Sequence, residues 1–139
     1  MSLTTTLKQL RDSDAKLTAV GLLMIVLLAA SGAALVIDPR VVMGAPAWMK
    51  PAKFHASVAI YTLTLAWVFT YLREWPKTRH AASWLTTVTL TLEIVIIDVQ
   101  AWRGTTSHFN VGTVLDGVLF TVMGLAIVVQ TCCASTVRL

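Results

Sequence analysis

The sequence predicts an all-α membrane protein, with four transmembrane helices in an up-down bundle and both termini in the cytoplasm. Three observations lead there. Hydrophobic residues fill 56% of the 139 positions and charged residues only 13%, against roughly 45–50% and 25% in soluble domains. Mean hydropathy is +0.74, and a water-soluble core of this size is too small to hide so much apolar surface. The apolar residues also gather into stretches of about 20, the length that crosses ~30 Å of hydrocarbon.

The first span covers about 17–37 (LTAVGLLMIVLLAASGAALVI). Asp38 and Pro39 stop it, because proline has no N–H and restricts the residue before it. The second covers 51–72 and opens on Pro51, a good first-turn residue. The third covers 81–101 and the fourth 111–131. Residues 1–16 form a cytoplasmic leader, and the short connections 38–50, 73–80 and 102–110 leave 1–139 as one four-helix transmembrane domain. The first span is expected to stay as a membrane helix: its apolar run exceeds the 7–15 residues typical of a signal core, and the leader carries Asp12 and Asp14.

Orientation follows from Lys and Arg near the span ends. Lys8, Arg11, Lys16, Arg73, Lys77, Arg79 and Arg138 fall on one side, and Arg40, Lys50, Lys53 and Arg103 on the other. This bias accounts for the net charge of +4, and no basic patch interleaved with aromatics points to nucleic acid. A multi-pass integral protein of a cell or inner membrane is expected, with the bilayer as its first partner. Trp48, Trp75, Trp84 and Trp102 lie near span ends, as interfacial tryptophans do. Leu3, Leu7 and Leu10 would lay the leader on the membrane surface as a short amphipathic turn. Cys132 and Cys133 fall at the cytoplasmic end of the fourth span, where thiols stay reduced; acylation or soft-metal binding is conceivable there, but one adjacent pair lacks the spacing of a zinc site.

Polar residues concentrate in EIVIIDVQAWRGTTSHFN, 93–110. Helix rise from the span ends places His55 ~3 Å, Asp98 ~4.5 Å, Asp116 ~7.5 Å and Glu93 ~12 Å into the exoplasmic half of the bilayer. Ser107, His108 and Asn110 close over the same half from the connection. At 100° per residue, Glu93 and Gln100 lie on one stripe with Thr86, within reach of Arg103, while Asp98 lies about 140° round from Glu93. The third helix therefore either sits centrally or meets another subunit. Small stripes are expected at His55, Ala59, Thr62 and Ala66 of the second helix and at Gly117, Thr121 and Gly124 of the fourth. Ala29, Ala30 and Ala33 make the first helix a scaffold.

Intramembrane ionisable residues are expensive and usually face a partner or a cavity. The leading expectation is a polar, cation-linked pocket for a small polar or cationic ligand. Glu93 is its titrating or ion-pairing group, and Gln100, Arg103, Asp116, Asp98, Asn110 and Ser107 shape it. Four short helices are too few for alternating access, so a transporter or channel-like protein of this size requires a homo-oligomer. One alternative is a metal- or haem-binding redox protein with His55 and His108 as ligands, helped by Glu93, Asp98 and Asp116; no H-x-x-x-H, E-x-x-H or C-x-x-C spacing supports it. The other is a structural subunit or assembly partner of a larger membrane complex, its polar groups fixing helix packing. No nucleophile motif such as G-x-S-x-G names a reaction.

Overall fold

A computed structural model describes residues 2–72, 74–107 and 112–136, the last four by backbone alone. Among them are five helices, α1 (Leu3–Ser13), α2 (Ala15–Ile37), α3 (Met49–Val68), α4 (Pro76–Trp102) and α5 (Val114–Thr136), and a hairpin of β1 (Val41–Val42) and β2 (Ala45–Pro46). Three of the helices, α2, α4 and the 114–132 part of α5, are long and apolar enough to cross a membrane. That composition marks a multi-pass integral membrane protein. α3 is 20 residues long, about 30 Å, but its first two turns carry Lys50, Lys53 and His55 and make it less apolar.

The leader is a helix of 11 residues rather than one amphipathic turn. It docks through Leu10, which packs with Leu17, Ala66 and Phe69. Asp14 separates α1 from α2: in extended conformation, its carboxylate accepts from the backbone N–H groups of Lys16 and Leu17, each at 3.0 Å, which satisfies two donors that a helix start leaves orphaned. The hairpin in the 38–48 connection was not expected, since two paired residues per strand are too few for any periodicity. Met43 and Gly44 turn it with φ of 50° and 79°, positive at both central positions as a type I′ turn requires.

α2 and α3 make the most extensive interface, with α1 across one end. The stripe expected on α3 is buried throughout, with His55 at 1%, Ala59 at 5% and Thr62 and Ala66 at 0% exposure. It meets the face of α2 formed by Leu17, Gly21, Met24 and Ser31. Ala29, Ala30 and Ala33, expected to supply the scaffold face, are exposed. The backbones come closest at Gly21, where a Cβ would meet Leu63 Cγ at 2.6 Å and Thr62 Oγ1 at 2.9 Å; only a hydrogen fits there.

α4 contacts α2, α3 and α5, so its two polar faces are both internal. Its apolar residues divide likewise: Ile94 joins Met24, Val58 and Ala59, whereas Ile96 and Ile97 join Met123 of α5. α5 packs chiefly on α4 through Asp116, Met123 and Gln130, whose Oε1 accepts from Thr89 Oγ1 at 2.6 Å. The expected stripe of Gly117, Thr121 and Gly124 is not at this interface, and the space around both glycines is open. The buried face runs one residue out of phase with it, because Asp116 and Met123 fix which side of α5 turns inward.

The close approach at Gly21 predicts that Gly21→Ala overpacks the α2–α3 contact and costs about 1–3 kcal/mol, read as a lower melting temperature in detergent. Gly32→Ala, in the same helix with nothing within 4 Å, is the control: it should be neutral or up to ~1 kcal/mol stabilising.

Candidate functional site

The ends of α2 and α4, the starts of α3 and α5, and the hairpin meet at one end of the molecule. Arg40 fixes the junction: Nη1 donates to the Trp102 carbonyl at the end of α4 (2.7 Å) while its guanidinium pairs with Asp38 (2.6 Å). Trp48 Nε1 also donates to Asp38 Oδ2, at 2.8 Å. Asp38 thus holds an arginine and an indole from a single half-exposed carboxylate. The Arg40 guanidinium first, then the Trp48 indole and the Arg40 backbone N–H, keep its carboxyl well below the usual range.

On one side of α4 the structure joins Gln100, Arg103 and Asp116, as expected. Arg103 Nη1 donates to Gln100 Oε1 and to Asp116 Oδ1, both at 2.6 Å, and Gln100 Nε2 donates to Asp116 Oδ1 at 2.8 Å. Two threonines not anticipated complete the set. Thr105 Oγ1 donates to Gln100 Oε1 at 3.1 Å, and Thr113 Oγ1 donates to Asp116 Oδ2 at 2.7 Å while accepting from the Asp116 backbone N–H at 3.2 Å. The chain is folded for this. Gly104, at φ 70°, ends α4 in a Schellman turn, its N–H bonding Ala101 and that of Thr105 bonding Gln100; the turn carries Thr105 back over Gln100, while Arg103, still helical, reaches Gln100 as its i+3 neighbour. At the start of α5, Thr113 and Asp116 have the T-x-x-D spacing of a capping box, the signal by which Thr113 was legible. Every polar atom of Gln100 and Asp116 that this network uses has a partner within the chain, so it acts as a clasp between α4 and α5.

On the other side lies a second cluster. His55 Nε2 is 3.2 Å from Asp98 Oδ2, and Nδ1 is 2.9 Å from Ser31 Oγ. An ionised carboxylate only accepts, so the ring proton belongs on Nε2, and Nδ1 accepts from the Ser31 hydroxyl. Ser31 was missed because α2 reads as uniformly apolar; its signal is the seven-residue step from Met24 on the buried face. Among the described residues, Asp98 Oδ1 is buried with no hydrogen-bond partner. Asp98 and His55 line an open cavity of about 350 Å³ walled by Leu27, Ala34, Trp48 and Trp102. Trp48 is also the indole that Asp38 holds, so the hairpin clasp sets one wall of this cavity.

Glu93 joins neither cluster. It is buried at 9% exposure, on the expected stripe with Thr86 and Gln100, but Arg103 is committed to Asp116, and the charge that acts on Glu93 is Lys50 of α3. The expected single pocket is therefore two separate sets on either side of α4, with Glu93 as a third position. Ser107 is buried and borders a groove beside the hairpin. His108 and Asn110 lie outside the described residues. Among those residues, no three His, Cys, Asp or Glu side chains converge as metal ligands would; His55 and Asp98 are one adjacent pair, and both ring nitrogens of His55 are already engaged. Cys132 is a free, exposed thiol.

Replacing Gln100 by Leu leaves the buried Asp116 and the Arg103 guanidinium short of partners, and should cost about 1–3 kcal/mol in thermal or denaturant unfolding. A carboxyl as depressed as that of Asp38 adds stability above its ordinary pKa of about 3.9, and that stability fades as pH falls below it. The difference in melting temperature between wild type and Asp38→Asn should therefore be largest above about pH 5 and narrow progressively as pH falls below about 4.

Compared with family models, curated proteins and solved structures, the chain matches none, so the functional reading rests on the chemistry of these side chains.

Proposed function

We propose that the chain is a polytopic membrane protein that binds a lipophilic organic cation in the cavity beside Asp98, in linkage with a proton on His55. In this reading α2, α3, α4 and α5 all cross the bilayer in up-down order with both termini cytoplasmic, and the hairpin end faces outward. The antiparallel pairing of α2 with α3 and the lysine and arginine bias of the connections support that arrangement.

The observation that carries the reading is Asp98 Oδ1, a buried carboxylate oxygen without a partner at the wall of a cavity. An unsatisfied charged acceptor in low dielectric costs more than the ~1–3 kcal/mol of a neutral one, and a bound cation offsets that cost. Apolar walls suit a hydrophobic body, and the indole faces of Trp48 and Trp102 add cation–π attraction. An inorganic cation, with its tightly held water, would leave those walls unused.

His55 supplies the linkage. Neutral, it donates one hydrogen bond and leaves Asp98 its charge. Protonated, it neutralises the carboxylate as an ion pair and repels a second cation. Proton and organic cation therefore compete for one carboxylate. Alternating access requires more helices than one copy provides, so transport would need at least a dimer.

The test is equilibrium binding of radiolabelled tetraphenylphosphonium to the purified protein in detergent or nanodiscs. Wild type should bind more weakly as pH falls. Asp98→Asn should lose at least tenfold in affinity, about 1.4 kcal/mol. His55→Gln should bind with a weaker pH dependence than wild type, and Gln100→Leu should bind as wild type does. Undiminished binding by a folded Asp98→Asn protein would end the proposal.

A further inference from the structure

Beside the hairpin, and sharing no lining residue with the Asp98 cavity, runs a groove of about 560 Å³. Its floor and walls are apolar, formed by Val42 and Met43 of the hairpin region, Phe54 of α3, and Ile97 and Ala101 of α4. The charged side chains that line it are Lys50 and Lys53, one turn apart on α3. Lys50 Nζ lies 5.9 Å from the centroid of the Phe54 ring, so its apolar stem runs along the wall while its ammonium stays at the upper edge. Thr105 and Thr106 add hydroxyls on the facing rim.

We propose that this groove holds one anionic phospholipid, its phosphate between Lys50 and Lys53 and an acyl chain along Phe54 and Ile97. Three features on the molecule select that occupant. The groove opens where α3 begins and α4 ends, the level of the headgroups for helices that cross the bilayer. Its polarity is graded, with cations at the helix-end rim and hydrocarbon below, which matches an amphiphile and not a soluble anion. Both lining charges are positive, and two lysines can each meet a phosphate oxygen as point charges. The inference rests on the bilayer-crossing arrangement proposed above but on none of the residues of the cation site.

The test is native mass spectrometry of the purified protein exchanged into equimolar phosphatidylglycerol and phosphatidylcholine of identical acyl chains. Wild type should retain phosphatidylglycerol about tenfold over phosphatidylcholine. The double variant Lys50→Gln, Lys53→Gln should retain the two equally. Ala45→Trp, on the exposed hairpin at the groove wall, keeps both lysines but narrows the trough and should reduce adducts of both lipids; its melting temperature should match wild type. Equal retention by wild type, an unchanged preference in the lysine variant, or adducts indifferent to Ala45→Trp would each overturn the proposal. So would a protein that fills this groove by dimerising, seen as a dimer whose mass shows no lipid.

Discussion

Two carboxylates leave α4 and α5 at one end of an apolar assembly, and each must find donors within the protein. That requirement organises the structure. Asp116 is met by Gln100, Arg103 and Thr113, a set complete enough to close one helix onto the next. Asp98 is met by His55 on one oxygen only. The contrast is between a satisfied acid and one that is half-satisfied among the described residues, 18 residues apart in the chain. Interhelical hydrogen bonds in membranes are individually modest, about 1 kcal/mol, so it is the completeness of the first set that makes it structural.

α4 can serve both sides because its period and length allow it. Gln100 and Ile97 turn toward α5, while Asp98 and Ile94 turn toward α2 and α3. A helix that is polar on two faces would be costly against lipid; between neighbours it becomes the element through which all the others are aligned. Gly104 matters for the same reason: the left-handed residue that reverses the chain after Arg103 brings the Thr105 hydroxyl back to Gln100.

Much of this was legible in the sequence. Length and apolarity gave the long helices, Asp38 and Pro39 gave the end of α2, and the spacing of His55, Ala59, Thr62 and Ala66 identified the buried face of α3, because a small-residue stripe on a membrane helix has few other uses. Gln100, Arg103 and Asp116 came together as expected. Glu93 did not join them, since facing along one helix says nothing of which cation a neighbouring helix brings near; Lys50 belongs to α3. The same gap explains Ser31, whose partner is 24 residues away in sequence, and the Gly117, Thr121 and Gly124 stripe, which looked like an interface until Asp116 and Met123 fixed the rotation of α5. Local pattern defines a face, and only tertiary pairing decides whether it is used.

α5 rests mainly on one neighbour, fastened near its start by the acid–guanidinium set and farther along by Met123 and the bond between Thr89 and Gln130. The α1–α2–α3 assembly, by contrast, interlocks through close backbone approach at Gly21. Local opening begins where buried contact is thinnest, which makes the last helix the first to swing aside under thermal agitation. A chain threaded into the bilayer from its N-terminus would have its rigid portion already assembled before that final segment arrived. Among the described helices, α5 is the one whose packing depends mainly on a single neighbour.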